Sequence, residues 1–497
     1  MIRKKVIAAL LGGSALVFSS SAYAQEPPAA EQVPTEPDQS DAAADAVIAA
    51  AAPVDDAEAK IELLQAQVEA LQEALEGVKT QMAKTTPTWK GGPQFDDKDA
   101  GFSFKPKGFM QFDAGYVGFP NGERRGSVGG LNFANLGFNT RARRIVFGAE
   151  GTLPGGFGYK AEFNFAQGTV DYEDIILTYD VKNKPLQVSI GNFYPYPSLE
   201  TVTSSRLGIG VQLSDKKADS YVLQAGLFSQ PINDTSFTRT GWQASLRGVY
   251  SPIMGSTRLH LGANFQHREN NRESLAQQYR SRPLTQITDQ RFVDTGNIAS
   301  KSDNVVGLEF AAIHKSLHVA AEAQKLWTRG TFTPAQITAL NLLPDTNDTG
   351  PAGAVGLNGN PSFSGGYFEV GYYLTGETRG YKGGKWDRTK VLKPFQDGGW
   401  GAIQVNGRVD YINLTDDVDS ASTSLAAPFY VNGGRQLGYQ ASVIWNPIDY
   451  LRFMVQFGHV DVTGGPRAAA VDPTSTKPVN KRKYGDNLAA IRAQLEF

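Results

Sequence analysis

The residues able to do chemistry in this chain are titratable and few of them are grouped. Five histidines occur, His260, His267, His314, His318 and His459, and none stands in the H-E-x-x-H spacing that puts two imidazoles on one helix face. His314 and His318 are four apart, but the intervening Lys315-Ser316 reads as a turn, which does not aim both rings at one metal. There is no G-x-S-x-G elbow, and Gly383-Gly384-Lys385-Trp386 lacks the upstream glycine and the hydroxyl residue of a phosphate-binding loop. With no cysteine at all, disulfides, thiolate metal sites and thiol nucleophiles are excluded. Carboxylates are plentiful, so a glycosidase-like pair is unmotivated rather than excluded. The expectation is no catalytic residue, no metal site and no cofactor.

Charge points toward transport. Two basic clusters lie in stretches without regular periodicity: Arg268, Arg272, Arg280, Arg282 and Arg291, then Arg379, Lys382, Lys385, Arg388, Lys390 and Lys393. Elsewhere polar residues alternate with apolar ones. The polar set includes Lys160, Glu162, Asp174, Gln224, Arg247, Asn264, Glu309, Glu322, Glu369, Arg408, Asp410, Arg452, Gln456, Arg492, Gln494 and Glu496. If the apolar faces meet lipid, this set lines water, and Lys160, Arg247, Arg408, Arg452 and Arg492 are candidate contacts for a permeating anion. Acidic members share that wall, so the field is mixed unless the two signs segregate. The loop clusters equally suit ordinary solvation or contact with anionic lipopolysaccharide.

Such faces need strands to carry them. Leu259, Leu261, Ala263 and Phe265 alternate with His260, Gly262, Asn264 and Gln266, and Leu437 to Trp445 repeats the pattern. The runs are about 9 to 12 residues long, the length of a tilted strand crossing a bilayer, where soluble strands usually have about 5 to 6. Sixteen are found, near 108–117, 141–151, 157–167, 171–180, 185–193, 207–213, 219–228, 240–250, 257–267, 303–313, 316–326, 366–375, 399–412, 435–446, 449–460 and 486–497. Connections after even-numbered runs are mostly short and those after odd ones include the long 118–140, 268–302, 327–365, 413–434 and 461–485, with 376–398 the one large exception, as in bacterial barrels with short periplasmic turns. On that parity Arg379, Lys382, Lys385 and Arg388 belong to the periplasmic mouth. The expected fold is all-β, a 16-stranded antiparallel transmembrane β-barrel over 102–497, preceded by a short N-terminal coiled-coil helix.

What precedes the barrel is of another kind. Arg3, Lys4 and Lys5, the apolar run Val6 to Phe18 and Ala22-Tyr23-Ala24 form a signal peptide, residues 1–24. Residues 25–56 are Ala, Pro and acidic residues, too polar to repay ordering, and read as a disordered linker. From 57 to 84, Ile61, Leu64, Val68, Leu71, Leu75, Val78 and Met82 follow 3,4 spacing, the seam of a coiled coil. A second linker, 85–101, leads to the barrel. A mean hydropathy of −0.31 leaves no room for a bundle of apolar membrane helices.

The segment Gly191-Asn192-Phe193-Tyr194-Pro195-Tyr196-Pro197-Ser198-Leu199-Glu200, followed by Thr203-Ser204-Ser205-Arg206, resembles the phosphate-selective porin O/P family. Supporting matches are Gly108 to Asp113, Arg141 to Gly151, Gly210 to Leu213, Leu374 to Glu377, Gly398 to Ala402 and the closing strand, so the likeness covers 105–497. The resemblance implies a homotrimer whose third extracellular loop narrows each pore, with Tyr194, Tyr196, Ser198, Glu200, Thr203, Ser204, Ser205 and Arg206 at the constriction. The sequence departs from the family in passing almost directly from Arg206 to Gly210-Val211-Gln212-Leu213, which shortens that loop. An amphipathic last strand ending in Phe497 resembles the signal read by the barrel-assembly machinery.

The function expected is passive diffusion of small hydrophilic solutes, anions such as phosphate among them, across a bacterial outer membrane, with the coiled coil in the periplasm. Lipid and lipopolysaccharide are the expected surroundings, with a contact of the coiled coil to the cell wall and no nucleic acid. Three alternatives stay open: an envelope tether anchored by the barrel, an outer-membrane hydrolase acting on lipid or ester substrates, and a sugar-conducting porin with Tyr194, Tyr196 and Tyr430 as an aromatic slide.

Overall fold

The computed structural model describes residues 57–85, 88–89, 92–97, 99–120, 127–128, 131–132, 136–196, 198–200, 204–233, 241–270, 276–330, 359–416, 431–472 and 474–497. The expected signal peptide and first linker lie outside these residues, as do Thr203 and Tyr430. The chain divides into two units, 1–81 and 82–497. The first holds most of a helix, α1, that spans Ala57–Thr85. Ile61, Leu64, Val68, Leu71 and Leu75 are each more than half exposed on it. A coiled coil needs at least two helices, and α1 supplies one.

The second unit is built on sixteen long strands. They are β1 (Phe102–Val117), β2 (Gly137–Leu153), β3 (Phe157–Asn164), β4 (Asp171–Asp180), β5 (Leu186–Phe193), β6 (Arg206–Ser214), β7 (Tyr221–Phe228) and β8 (Trp242–Tyr250). The second half is β9 (Thr257–Glu269), β10 (Ser302–His314), β11 (Leu317–Thr328), β12 (Ser362–Tyr373), β13 (Ala402–Asp416), β14 (Val431–Ile448), β15 (Leu451–Thr463) and β16 (Lys483–Glu496). Each pairs antiparallel with its neighbours in sequence, and β16 pairs back onto β1, with Arg492 opposite Asp113 and Gln494 opposite Gln111. The sixteen strands close into a barrel, and a short hairpin of Thr88–Trp89 and Pro93–Asp97 pairs onto the start of β1. Phe497 completes the seam: its N–H donates to the Gly108 carbonyl at 2.9 Å and its carbonyl accepts from the Gly108 N–H at 3.2 Å.

Burial is inverted relative to a soluble protein. On β8, Gln243, Ser245 and Arg247 point inward and are buried, while Leu246 and Tyr250 point outward and stay more than half exposed. Leu223, Leu227, Leu308, Phe368 and Phe457 repeat this around the wall. A fully exposed large apolar side chain forgoes about 1.5–3 kcal/mol, so a belt of this extent in water would exceed a typical net stability of about 5–15 kcal/mol. Lipid is the medium in which this surface is stable.

The two rims differ. Connections 154–156, 181–185, 215–220, 251–256, 315–316 and 449–450 make a short-turn end, while 270–301 and 464–482 are among the long connections at the other. The long 270–301 connection turns inward there, packing Ile287, Phe292, Val293 and Ile298 against Val117, Phe363, Leu414, Val460 and Leu488 of the wall. A short helix, α2 (Gly465–Val471), from 464–482 closes over it, with Arg467 Nε donating to the Arg291 carbonyl at 3.0 Å.

Candidate functional site

The third connection at the long-loop end, 194–205, leaves the wall at the end of β5. Tyr196 adopts a left-handed φ of 41°, and its ring lies between Phe193 and Phe228 at centroid distances of 6.0 and 5.9 Å. Glycine makes that berth: a Cβ at Gly210 would overlap the Tyr196 phenol. Burial pushes the phenol up to about 12. Tyr194 donates to Glu173, and Ser205 Oγ accepts from Asn192 Nδ2 at 3.0 Å. Arg206 Nη1 donates to the Ser229 carbonyl at 3.0 Å.

The connection then crosses to the far wall. Ser198 donates to Glu322 of β11, and the Glu200 N–H donates to the same carboxylate at 2.7 Å. Leu199 is buried among Ala311, Ala320, Tyr367 and Trp386. The Glu200 carboxylate accepts from Arg408 Nη1 at 2.5 Å and from Trp386 Nε1 at 3.0 Å. The Ser-Leu-Glu part of the motif therefore bolts the loop across the bore.

Trp386 arrives from the opposite end. The long exception among the short turns, 374–401, folds into the barrel as a hairpin pairing Tyr381–Lys382 with Lys385–Trp386. Its two turn residues, Gly383 and Gly384, have φ of 59° and 72°, the double left-handed turn that glycine permits. Gly384 O accepts from Arg247 Nη2 at 2.7 Å, Gly383 N–H donates to both Asp219 carboxylate oxygens at 3.0 Å, and the Tyr381 hydroxyl meets His260 Nδ1 at 2.6 Å. Burial raises the Tyr381 phenol. Arg388 stays near the rim, 3.1 Å from Glu496, and Arg379 stacks on Trp386 at 5.1 Å. The expectation that this basic segment lies wholly at the mouth is therefore corrected: Arg388 is at the rim, but Lys385 is carried inside.

Four register shifts interrupt the pairing of the wall, and two of them bear on its charges. Gln111 pairs with Arg144 and Phe112 with Ala142, leaving Arg143 as the extra residue on β2. Arg143 lies in the fields of Arg141, Arg144, Arg282 and Arg492, so four wall arginines and one from the inward 270–301 connection share a face. On β4, opposite Glu162, two residues intervene between Tyr172 and Ile175. Glu173 receives Tyr194 and Asp174 receives Lys160 Nζ at 2.7 Å.

Most of the inward cations have partners. Lys160 bridges Asp174 and Glu162, Arg247 pairs with Glu309 at 2.6 Å, Arg408 with Asp410 at 2.9 Å and with Glu200, and Arg492 with Asp113 at 2.7 Å. Arg141 Nη1 is 2.8 Å from Asp289, whose carboxyl is held below its ordinary range by hydrogen bonds from Arg141 and Arg282. Among the described residues Arg143, Arg144, Arg452 and Lys385 have no carboxylate within ion-pair distance. Arg144 instead lies 6.0 Å from the centre of the Phe109 ring.

Comparison with known proteins fits this wall to a family. The family model described as "Phosphate-selective porin O and P" matches residues 111–497. The chain belongs to the phosphate-selective porin O and P family. An uncharacterized protein of Caulobacter vibrioides is 33% identical over 447 residues, 84% of this chain and 79% of that one. Porin O of Pseudomonas aeruginosa is 26% identical over 396 residues, 70% of this chain and 81% of that one. Among solved structures, the outer membrane channel DcaP of Acinetobacter baumannii aligns over 81% of this chain and 99% of its own, at 12% identity and a TM-score of 0.44.

This porin is thus an outer-membrane channel, and its bore is narrowed from both ends. Of the loop residues read from the motif, Tyr196, Ser198 and Glu200 face wall or hairpin, and Ser205 and Arg206 bond near the loop base. Ser204 is exposed. Arg247 is sealed, with a side-chain exposure of 0%. Arg143, Arg144 and Glu173 were absent from the expected lining, because period-two counting places every second residue inward and a bulge adds one. The Arg141-Ala142-Arg143-Arg144 run was the available signal.

Proposed function

We propose that this porin passes small hydrophilic anions, inorganic phosphate among them, down their gradients. The observation that carries the reading is the pair Arg143 and Arg144, which have no carboxylate within ion-pair distance among the described residues and lie beside the already paired Arg141, Arg282 and Arg492. Guanidinium groups in a confined aqueous bore raise the local anion concentration and offer paired N–H donors to phosphate oxygens. The name of the family and of the Pseudomonas relative support the same solute class. Arg452 is a further inward cation of this kind, and Lys160, Arg408 and Arg492 act as neutralised wall.

The aromatic-slide alternative loses support from Tyr196, whose ring is buried between Phe193 and Phe228. The porin is proposed to be a homotrimer with long connections outside and the short turns, α1 and Arg388 on the periplasmic side. The exposed stripe Ile61, Leu64, Val68, Leu71 and Leu75 suits association of three copies of α1, and Phe497 suits recognition by the barrel-assembly machinery. The test is a reversal potential in a KCl gradient. Replacing Arg143 and Arg144 together by Gln should lower the chloride-to-potassium permeability ratio by about threefold or more, the effect of unit charges about 6 Å away in water. An unchanged ratio contradicts the assignment.

A further inference from the structure

The 381–386 hairpin places a lysine where the wall has lost its own cation. Arg247 is the wall residue beneath it, three residues from the end of β8 at Tyr250, or roughly 10 Å along the strand at about 3.3 Å per residue. Its Nε and Nη2 donate to Glu309 at 3.0 and 2.6 Å, and Nη2 also donates to the Gly384 carbonyl at 2.7 Å. Val222 and Val249 are buried beside it, near the Gly384 backbone. Arg247 is thereby withdrawn from water and cancelled by Glu309. The next residue after Gly384 is Lys385, and its side chain is exposed.

We infer that Lys385 is a selectivity-setting residue of the bore, a fixed ammonium contact for small inorganic anions that the inserted hairpin delivers from the short-turn end. The inference rests on the anion-porin reading and adds a contact site to it. The hairpin is held by Asp219, Arg247, His260 and Glu200 through the bonds described above, so the lysine has a defined station. The charges facing it are Arg247 on β8, Lys160 on β3, Asp174 on β4 and Glu309 on β10. Arg247 is paired with Glu309, and Lys160 with Asp174 and Glu162, so three cations face three carboxylates and Lys385 is the cation of this group that has no direct ion pair among the described residues. Among the described residues no acceptor bonds its Nζ, which leaves the ammonium open to a passing anion. Partial loss of water inside the bore, followed by repulsion from Arg247, lowers the ammonium from its ordinary value. It is charged at neutral pH and loses its charge at lower pH than a free lysine.

The experiment uses the assembled full-length porin in planar bilayers, with reversal potentials in a KCl gradient at pH 6.5 and 9.5 and inorganic phosphate as a blocker. At pH 6.5 Lys385→Gln should lower the chloride-to-potassium permeability ratio about threefold and weaken phosphate block. The wild-type ratio should fall between the two pH values, Lys385→Gln should remove that part of the fall, and Lys385→Arg should hold the ratio at pH 9.5. The chain has no native cysteine, so Lys385→Cys gives an independent arm. A thiol-reactive ammonium should restore the ratio and a thiol-reactive sulfonate should depress it further. Wild-type ratios and pH profiles in Lys385→Gln, or equal effects of the two reagents, overturn the inference. A cation-selective wild type contradicts the anion-porin reading alone, because the role of Lys385 is read from its displacement relative to wild type.

Discussion

At the scale of single residues, Glu200 joins three parts of the molecule that sequence separates widely. Its backbone reaches Glu322, its carboxylate takes Arg408 from the wall and Trp386 from the inserted hairpin, and Ser198 fixes the same carboxylate of Glu322. Hydrogen bonds to charged groups contribute about 1.5–3 kcal/mol each, enough to decide whether a short loop stays across a bore. Glu200→Ala is expected to uncouple the loop from Arg408 and from the hairpin and to loosen both, while the bonds to Glu322, Asp219, Arg247 and His260 remain. Single-channel traces of the variant should show larger mean conductance and added current noise; wild-type conductance and noise would mean that the bolt does not set the aperture. The motif itself was legible in the sequence, because Pro-x-Ser-Leu-Glu is an unusual string. Its use was not, since a residue facing a pore and a residue bonded across one have the same sequence.

At the scale of elements, alternation made all sixteen strands readable, including β6 (Arg206–Ser214), whose signal is weak. Period two follows from pleating and survives wherever one face meets lipid and the other meets water. It fails at the bulges, which is why Arg143, Arg144 and Glu173 were missed, and in the 374–401 segment, whose inward fold depends on partners on β7 to β9 and in the 194–205 connection. Closure of the barrel turns on the seam between β16 and β1. A Cβ at Gly108 would overlap the ring of Phe497, whose backbone makes two hydrogen bonds to Gly108. Gly108→Val should therefore destabilise the barrel by about 1–3 kcal/mol, the usual cost of overpacking. The measurement is the temperature at which the folded band converts to the unfolded one in detergent electrophoresis, and a midpoint equal to wild type would refute this role for the seam.

At the scale of the whole molecule, the account describes a cylinder whose apolar belt requires lipid and whose charged interior requires water. Arg143 and Arg144 on the β2 face and Lys385 on the inserted hairpin have no carboxylate within ion-pair distance among the described residues, whereas Lys160, Arg247, Arg408 and Arg492 are each paired. The chain's formal net charge of −2 says nothing of this; the arrangement of pairs decides the sign of the field. The most direct measurement is the current carried by purified full-length porin in a planar bilayer separating unequal KCl solutions. Discrete conductance steps with a reversal potential on the chloride side are predicted, and either an absence of steps after verified insertion or a reversal potential on the potassium side would contradict the account.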